Sequence, residues 1–320
     1  MSIERVDQSS SFNEIKDLFS EACSYAFLPI TMFSVCYNAI ECFATSWIYK
    51  DDIQDKDGCT FQVVPQHFDA LAELWAQRKV TFLEAAPDAS ATAKIKTGLK
   101  DIFRESLAKQ YAIIQSLSQK TGIQADFYLE IEANSKNIGN RYAPYQAIGS
   151  RLGENTPIIL FTPSQLNISS VLSPAESADS FIDRMKQAAR SLEPAKEFLI
   201  AHEFSHLAHE DPLKFWQVKA ISDVSTVAVW AIGFYASSGW ISYLLGSYLV
   251  STAIQAVGAI AQRALAKKQE ARADVEAVKM LGSKKGAVEF LERIPKTSLD
   301  PYYPTPQERL RNVQLVAETP

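Results

Sequence analysis

His202-Glu203-Phe-Ser-His206 carries the densest chemistry in the chain. On an α-helix, residues i and i+4 lie one above the other on the same face, so His202 and His206 can present two imidazole nitrogens to one ion. Neutral imidazole is a good zinc ligand. A glutamate directly after the first histidine is placed to take a proton from water held at that ion, whose acidity the ion raises toward neutral pH. The competing reading is a pair of ordinary polar histidines on a helix. The flanks argue for the metal: Phe198, Leu199, Ile200, Ala201, Phe204, Leu207 and Ala208 are uncharged, as a helix buried beside a cleft requires. Ser191 is the expected N-cap ahead of Pro194 in the first turn, and Asp211-Pro212 is expected to stop the helix. Three of the four histidines fall in this stretch. The third, His209, lies one turn beyond His206 and is expected to be too far along to reach the ion.

Composition bounds the rest. With 320 residues, 47% hydrophobic and 22% charged, the chain can bury a sizeable core or hold two small domains. A net charge of −5 and the lack of a basic tract argue against a nucleic-acid partner. Cys23, Cys36, Cys42 and Cys59 show no C-x-x-C spacing and read as free thiols of a reducing compartment. The first twenty residues lack the basic and apolar regions of a signal peptide, which predicts no export by that route.

The elements that must position the histidines follow from periodicity. Ser11-Phe-Asn-Glu14 is a capping box that opens a helix, and 22–49 is a hydrophobic stretch interrupted by Pro29, Asn38 and Glu41. Pro65 starts a helix with Phe68, Leu71, Leu74, Trp75 and Phe82 inward. Residues 85–97 read as a linker, and a long helix follows with Leu99, Ile102, Phe103, Leu107, Ile113, Ile114 and Leu117 inward and Gly122 as its cap. From Ile123 to Glu132 apolar and polar residues alternate, which predicts a strand with one wet face. A second strand is expected near 142–148 and a third at 156–161. An exposed edge of that sheet could pair with an extended peptide, and a covered edge is the equal alternative. Residues 169–180 read as a loop before a helix carrying Phe181, Ile182, Met185 and Ala189.

No charged residue occurs from Val224 to Gln262. Two membrane spans need about 40 residues, so this stretch fits a transmembrane hairpin turning at Ala236-Ser-Ser-Gly239-Trp240, or else two buried helices. Lys214 and Lys219 before it, with Arg263, Lys267 and Lys268 after it, place both ends on the cytoplasmic side under the positive-inside rule.

A catalytic zinc site with two histidines needs one more protein ligand and an open position. Glu270 and Asp274 share a helix face at i and i+4, although without the histidines they would read as part of a solvated charged face. Taken in order, His202-Glu-x-x-His206, then Glu270-x-x-Ala-Asp274, then Tyr303-Pro-Thr-Pro-Gln-Glu-Arg309 resemble the gluzincin family of HtpX-type and CAAX prenyl endopeptidases. The resemblance covers about the last two hundred residues. It implies an α+β, zincin-like metallopeptidase domain over 122–320, with the hydrophobic hairpin 224–262 inserted; the helical region at 1–121 is read from periodicity alone, and its role is open. One zinc ion per chain would be held by His202, His206 and Glu270. Glu203 would be the general base, Asp274 would orient a ligand histidine, and Arg309 would face the site. The family has His-Pro where this chain has Tyr303-Pro304, so Tyr303 is the candidate oxyanion donor.

The expected function is a zinc-dependent endopeptidase acting on polypeptides, attached to a membrane with its site toward the cytoplasm. Two rivals stand beside it. One is a soluble zincin that cuts a single partner. The other is a zinc-binding membrane or interaction protein without proteolytic activity.

Overall fold

A computed structural model describes residues 60–81, 89–131, 145–148, 156–162, 176–236, 240–294 and 303–316. The capping box at Ser11, the stretch 22–49 and Phe82 lie outside these residues. The chain divides into two compact units.

The first unit comprises 46–212, 271–298 and 306–320. Its sheet has four strands in the order β1-β2-β4-β3: β1 (Thr60–Gln62), β2 (Asp126–Glu130), β3 (Tyr145–Ile148) and β4 (Ile158–Phe161). β2 and β4 run parallel, while β1 and β3 are antiparallel to their neighbours, which leaves β3 at an edge. The sequence-based reading found three of these strands. It missed β1, whose three residues are too few to show an alternation.

Helix α1 (Phe68–Thr81) follows a short turn of 3-10 helix that opens at Pro65. α2 (Ala89–Thr121) starts within the supposed linker, so residues 89–97 are helical. The Ala/Thr/Ser-rich composition there suggested a loop, but Ile95 and Leu99 bury against Phe181 and Ile182, and that packing overrides the weak local preference. Gly122, at φ +69°, ends the helix in a left-handed conformation that glycine adopts without a Cβ clash. Capped by Ser177, α3 (Ala178–Ser191) leads straight into α4 (Glu193–Ala208). The N-cap position of α4 is Leu192, not Ser191, whose hydroxyl instead bonds the carbonyl of Ala188 within α3.

The main core gathers Leu107, Ile114 and Leu117 of α2, Phe127 and Leu129 of β2, Ile159 and Phe161 of β4, and Phe198, Ile200 and Phe204 of α4. Most of α4 is buried, including the polar residues Lys196, His202, Glu203 and Ser205 beside its apolar ones. The expected wet face of β2 is not wet at Tyr128. That ring joins Ile158 and Leu160 in a second apolar cluster.

After α4, Glu210 turns the corner at φ 54°. α5 (Asp211–Ala236) then begins, so Asp211-Pro212 opens a helix rather than merely stopping one; proline fits a first turn because its missing N–H is not needed there. α6 (Trp240–Leu281) returns, closed by Gly282 at φ +69°. Two short helices, α7 (Lys285–Arg293) and α8 (Pro306–Gln314), complete the unit. At Gly286, α7 lies so close to α4 that a Cβ would stand 1.9 Å from the carbonyl oxygen of Pro194.

The second unit comprises 1–45, 213–270 and 299–305. Its described part is mainly the two arms of a helical hairpin from α5 and α6. Polar groups line the contact between the arms: Gln255 donates to Thr226 Oγ1 (2.7 Å) and to Asp223 Oδ1 (3.3 Å). Gly258 admits Ser222 where a Cβ would be 2.4 Å from its hydroxyl. Ile221, Ile232, Leu249, Val257 and Ile260 point outward, each more than half exposed. Within α6, Leu244–Leu281 is long and apolar enough to cross a membrane by length and composition, its most apolar 18-residue window having mean hydropathy 1.6.

Candidate metal centre

Helix α4 carries His202, Glu203 and His206, all buried or nearly so. Its enclosure is driven by Phe198, Ile200, Ala201, Phe204 and Leu207, each 1% exposed or less. The two imidazoles stand edge to face, with ring centroids 4.7 Å apart and their Nε2 atoms separated by 3.0 Å.

A carboxylate meets each histidine from behind. His202 Nδ1–H donates to Asp274 Oδ1 at 3.0 Å, and His206 Nδ1–H donates to Asp211 Oδ2 at 2.9 Å. An arginine backs each carboxylate in turn. Arg309 grips Asp274 through Nε and Nη2, both at 2.7 Å, and Arg272 Nη2 bonds both oxygens of Asp211. Burial pushes both aspartates up, but these partners outweigh it: Arg309 and His202 hold Asp274 below the usual carboxylate range, and His206 with Arg272 does the same for Asp211.

The consequence for the histidines is chemical. An ionised carboxylate accepts only, so each imidazole directs its Nδ1 proton backward and leaves Nε2 as a lone-pair donor. Two such nitrogens facing at 3.0 Å repel unless a cation lies between them. Glu270 on α6 completes the group: one ligand atom each from His202, His206 and Glu270 lie within 4.8 Å of one another. Nitrogen ligands at about 2.0–2.1 Å in a tetrahedron stand about 3.3 Å apart, so the donor set and its spacing fit a zinc ion.

Glu203 turns toward the sheet. Its Oε2 accepts from the backbone N–H of Ala147 on β3 at 2.6 Å. His209 turns away from the histidine pair and meets Glu276 (3.2 Å), which also accepts from Ser205 Oγ (2.7 Å). Tyr303 belongs to the second unit and is 40% exposed.

Residues 185–315 match the family model described as Peptidase family M48. The match spans about two fifths of the chain and likens that segment to the M48 peptidases. Its limits enclose both histidines, Glu203, Glu270, Asp274, Tyr303 and Arg309, the residues on which the family resemblance was read. M48 peptidases are zinc-dependent hydrolases, and the group of His202, His206 and Glu270 could hold that metal. No curated protein and no solved structure matches the chain.

Sequence reasoning did not anticipate Asp211, Arg272 or Ala147 as neighbours of the site. Asp211 sits five residues beyond His206, near enough that its carboxylate could have been considered. Arg272 and Ala147 reach the site only through the packing of α6 and β3, which no local pattern announces.

Proposed function

We propose that the chain is a zinc-dependent endopeptidase that hydrolyses peptide bonds within polypeptides, with His202, His206 and Glu270 as zinc ligands. The observation that carries this reading is the pair of Nε2 lone pairs, 3.0 Å apart, with the Glu270 carboxylate in the same group. Zinc bound there would polarise the scissile carbonyl and make the attacking water more acidic.

The chain's own residues supply the remaining work. Glu203 takes a proton from the attacking water and passes it to the leaving amine. Asp274, clamped by Arg309, holds His202 in the tautomer and ring orientation that ligation requires. Tyr303 is the proposed donor to the developing oxyanion, and Arg309 contributes through Asp274. Main-chain groups on β3 recruit the substrate. Ala147 donates to Glu203, so its N–H faces away from β4, and Tyr145, two residues before, shares that orientation. Among the described residues no strand pairs with this edge, which suits an extended peptide added as a further strand.

The hairpin 224–262 attaches the enzyme to a membrane, with both ends and the site on the cytoplasmic side. Its apolar outward residues and polar interior favour this over a soluble enzyme.

The test pairs wild type with Glu203→Gln, both purified in mild detergent, and measures bound zinc and cleavage of an unfolded protein such as casein. The expected result is about one zinc per chain in both, with cleavage by wild type alone and a loss of about 10²–10⁴-fold in the variant. Zinc in both with cleavage by neither would favour a non-proteolytic zinc protein, and Tyr303→His would then show whether the missing family histidine is the reason. No zinc in wild type would overturn the reading.

A further inference from the structure

We propose that Asp211, backed by Arg272, is a positioning residue that fixes His206 for metal binding as Asp274, backed by Arg309, fixes His202. This inference rests on the metal-centre reading above. The motifs that point to the site contain one aspartate, Asp274, and assign nothing to Asp211.

The geometry is doubled. Asp211 is 3% exposed, and its Oδ2 receives the Nδ1 proton of His206 at 2.9 Å. A carboxylate so enclosed needs a counter-charge, and Arg272 Nη2 supplies it to both oxygens. Asp274 has the same three features: burial, a ligand histidine at 3.0 Å, and an arginine on both oxygens.

A simpler role exists for Asp211. It opens α5, and a negative charge in a first turn suits the helix dipole. That role needs no partner outside the helix. Here both oxygens face outside partners, His206 on α4 and Arg272 on α6, which lie 5 and 61 residues away in the chain.

The arrangement concentrates control of the site in little more than one turn of α6. Glu270 offers a ligand atom, Arg272 steadies the residue behind His206, and Asp274 steadies His202 directly. A ligand imidazole free to rotate about its own bonds, or free to move its proton to Nε2, gives up part of its affinity before the ion arrives.

The test uses the full chain in detergent, with Zn²⁺ affinity measured by chelator competition, Co²⁺ absorption as a report on ligand geometry, and thermal melting as a check on folding. Asp211→Ala should bind Zn²⁺ about 10–100-fold more weakly than wild type. Asp211→Asn keeps an oxygen that accepts from Nδ1–H, so it should recover part of that loss. Arg272→Met should fall between wild type and Asp211→Ala and melt below wild type, because it leaves the buried Asp211 carboxylate without its counter-charge. Asp211→Asn should melt close to wild type, and both variants should show altered Co²⁺ bands. If Asp211→Ala does not fold, Asp211→Asn and Arg272→Met decide the matter. Wild-type affinity and unchanged Co²⁺ bands in those two variants would overturn the inference while leaving the metal reading intact. A wild-type chain that binds neither ion would remove both.

Discussion

The carboxylate of Glu203 lies where a strand edge and a histidine pair meet, so its orientation depends on the sheet as well as on its own helix. Ala147→Pro tests that dependence. Proline is tolerated on an edge strand, and the change deletes the N–H that donates to Glu203 at 2.6 Å. With the base misplaced, kcat should fall by up to about 10²-fold while bound zinc stays at the wild-type level. Equal turnover at equal zinc would show that the contact is incidental. Lys196, on the same helix but away from the histidines, offers a pH test. Its ammonium is 2% exposed, bonds Ser106 Oγ at 2.8 Å and pairs with Glu193 at 3.1 Å. Burial pulls its pKa below the ordinary 10.5, against the opposing effect of Glu193. A lysine with a lowered folded pKa penalises the folded state below that value, and the penalty lifts as pH rises through it toward the unfolded value. The melting temperature of Lys196→Met relative to wild type should therefore be highest near neutral pH and decline toward pH about 10. A difference that does not change with pH would count against a perturbed lysine.

At the scale of elements, α4 matters most, and its neighbours hold it by close backbone approach. Gly286 lets α7 come within a hydrogen atom's room of Pro194 in the first turn of α4. Gly286→Ala would place a methyl group 1.9 Å from a carbonyl oxygen and 2.6 Å from its carbon. The obstacle is backbone, not a side chain that can swing aside, so α7 must shift. A loss of about 1–3 kcal/mol in stability is expected, read as a lower urea midpoint with an unchanged slope. Unchanged stability would mean that the two helices part without cost. The corner after α4 is also fixed by the backbone: Glu210 sits at φ 54°, and Asp211 is thereby delivered behind His206 at the start of the next helix.

At the scale of the whole molecule, the hairpin inverts the usual order of polar and apolar surface. Gln255, Thr226 and Ser222 face inward, while Ile232, Leu249 and Val257 face out. If lipid covers that outward face, the full chain should float with liposomes. Ile232→Asp, Leu249→Asp and Val257→Asp together should abolish flotation, since each charge costs about 2.5–3.5 kcal/mol at a span's centre. A wild-type chain that stays soluble without detergent and does not float would favour the soluble alternative. By itself the sequence determined what local spacing can encode: His202, Glu203 and His206 on one helix, Glu270 and Asp274 on another, three of the four strands, the cap at Gly122 and the apolar run of the hairpin. These are legible because each depends on a period of about two or 3.6 residues, or on one special backbone conformation. It misplaced what depends on distant partners. Residues 89–97 are helical because Phe181 and Ile182 cover them, and Tyr128 is dry because Ile158 and Leu160 are there. Only the tertiary structure decided that Ala147 meets Glu203, that Arg309 is spent on Asp274, and that Asp211 and Arg272 stand behind His206. Those pairings join residues from 5 to 61 positions apart, and the packing of helices and strands that makes them leaves no periodic mark on the chain.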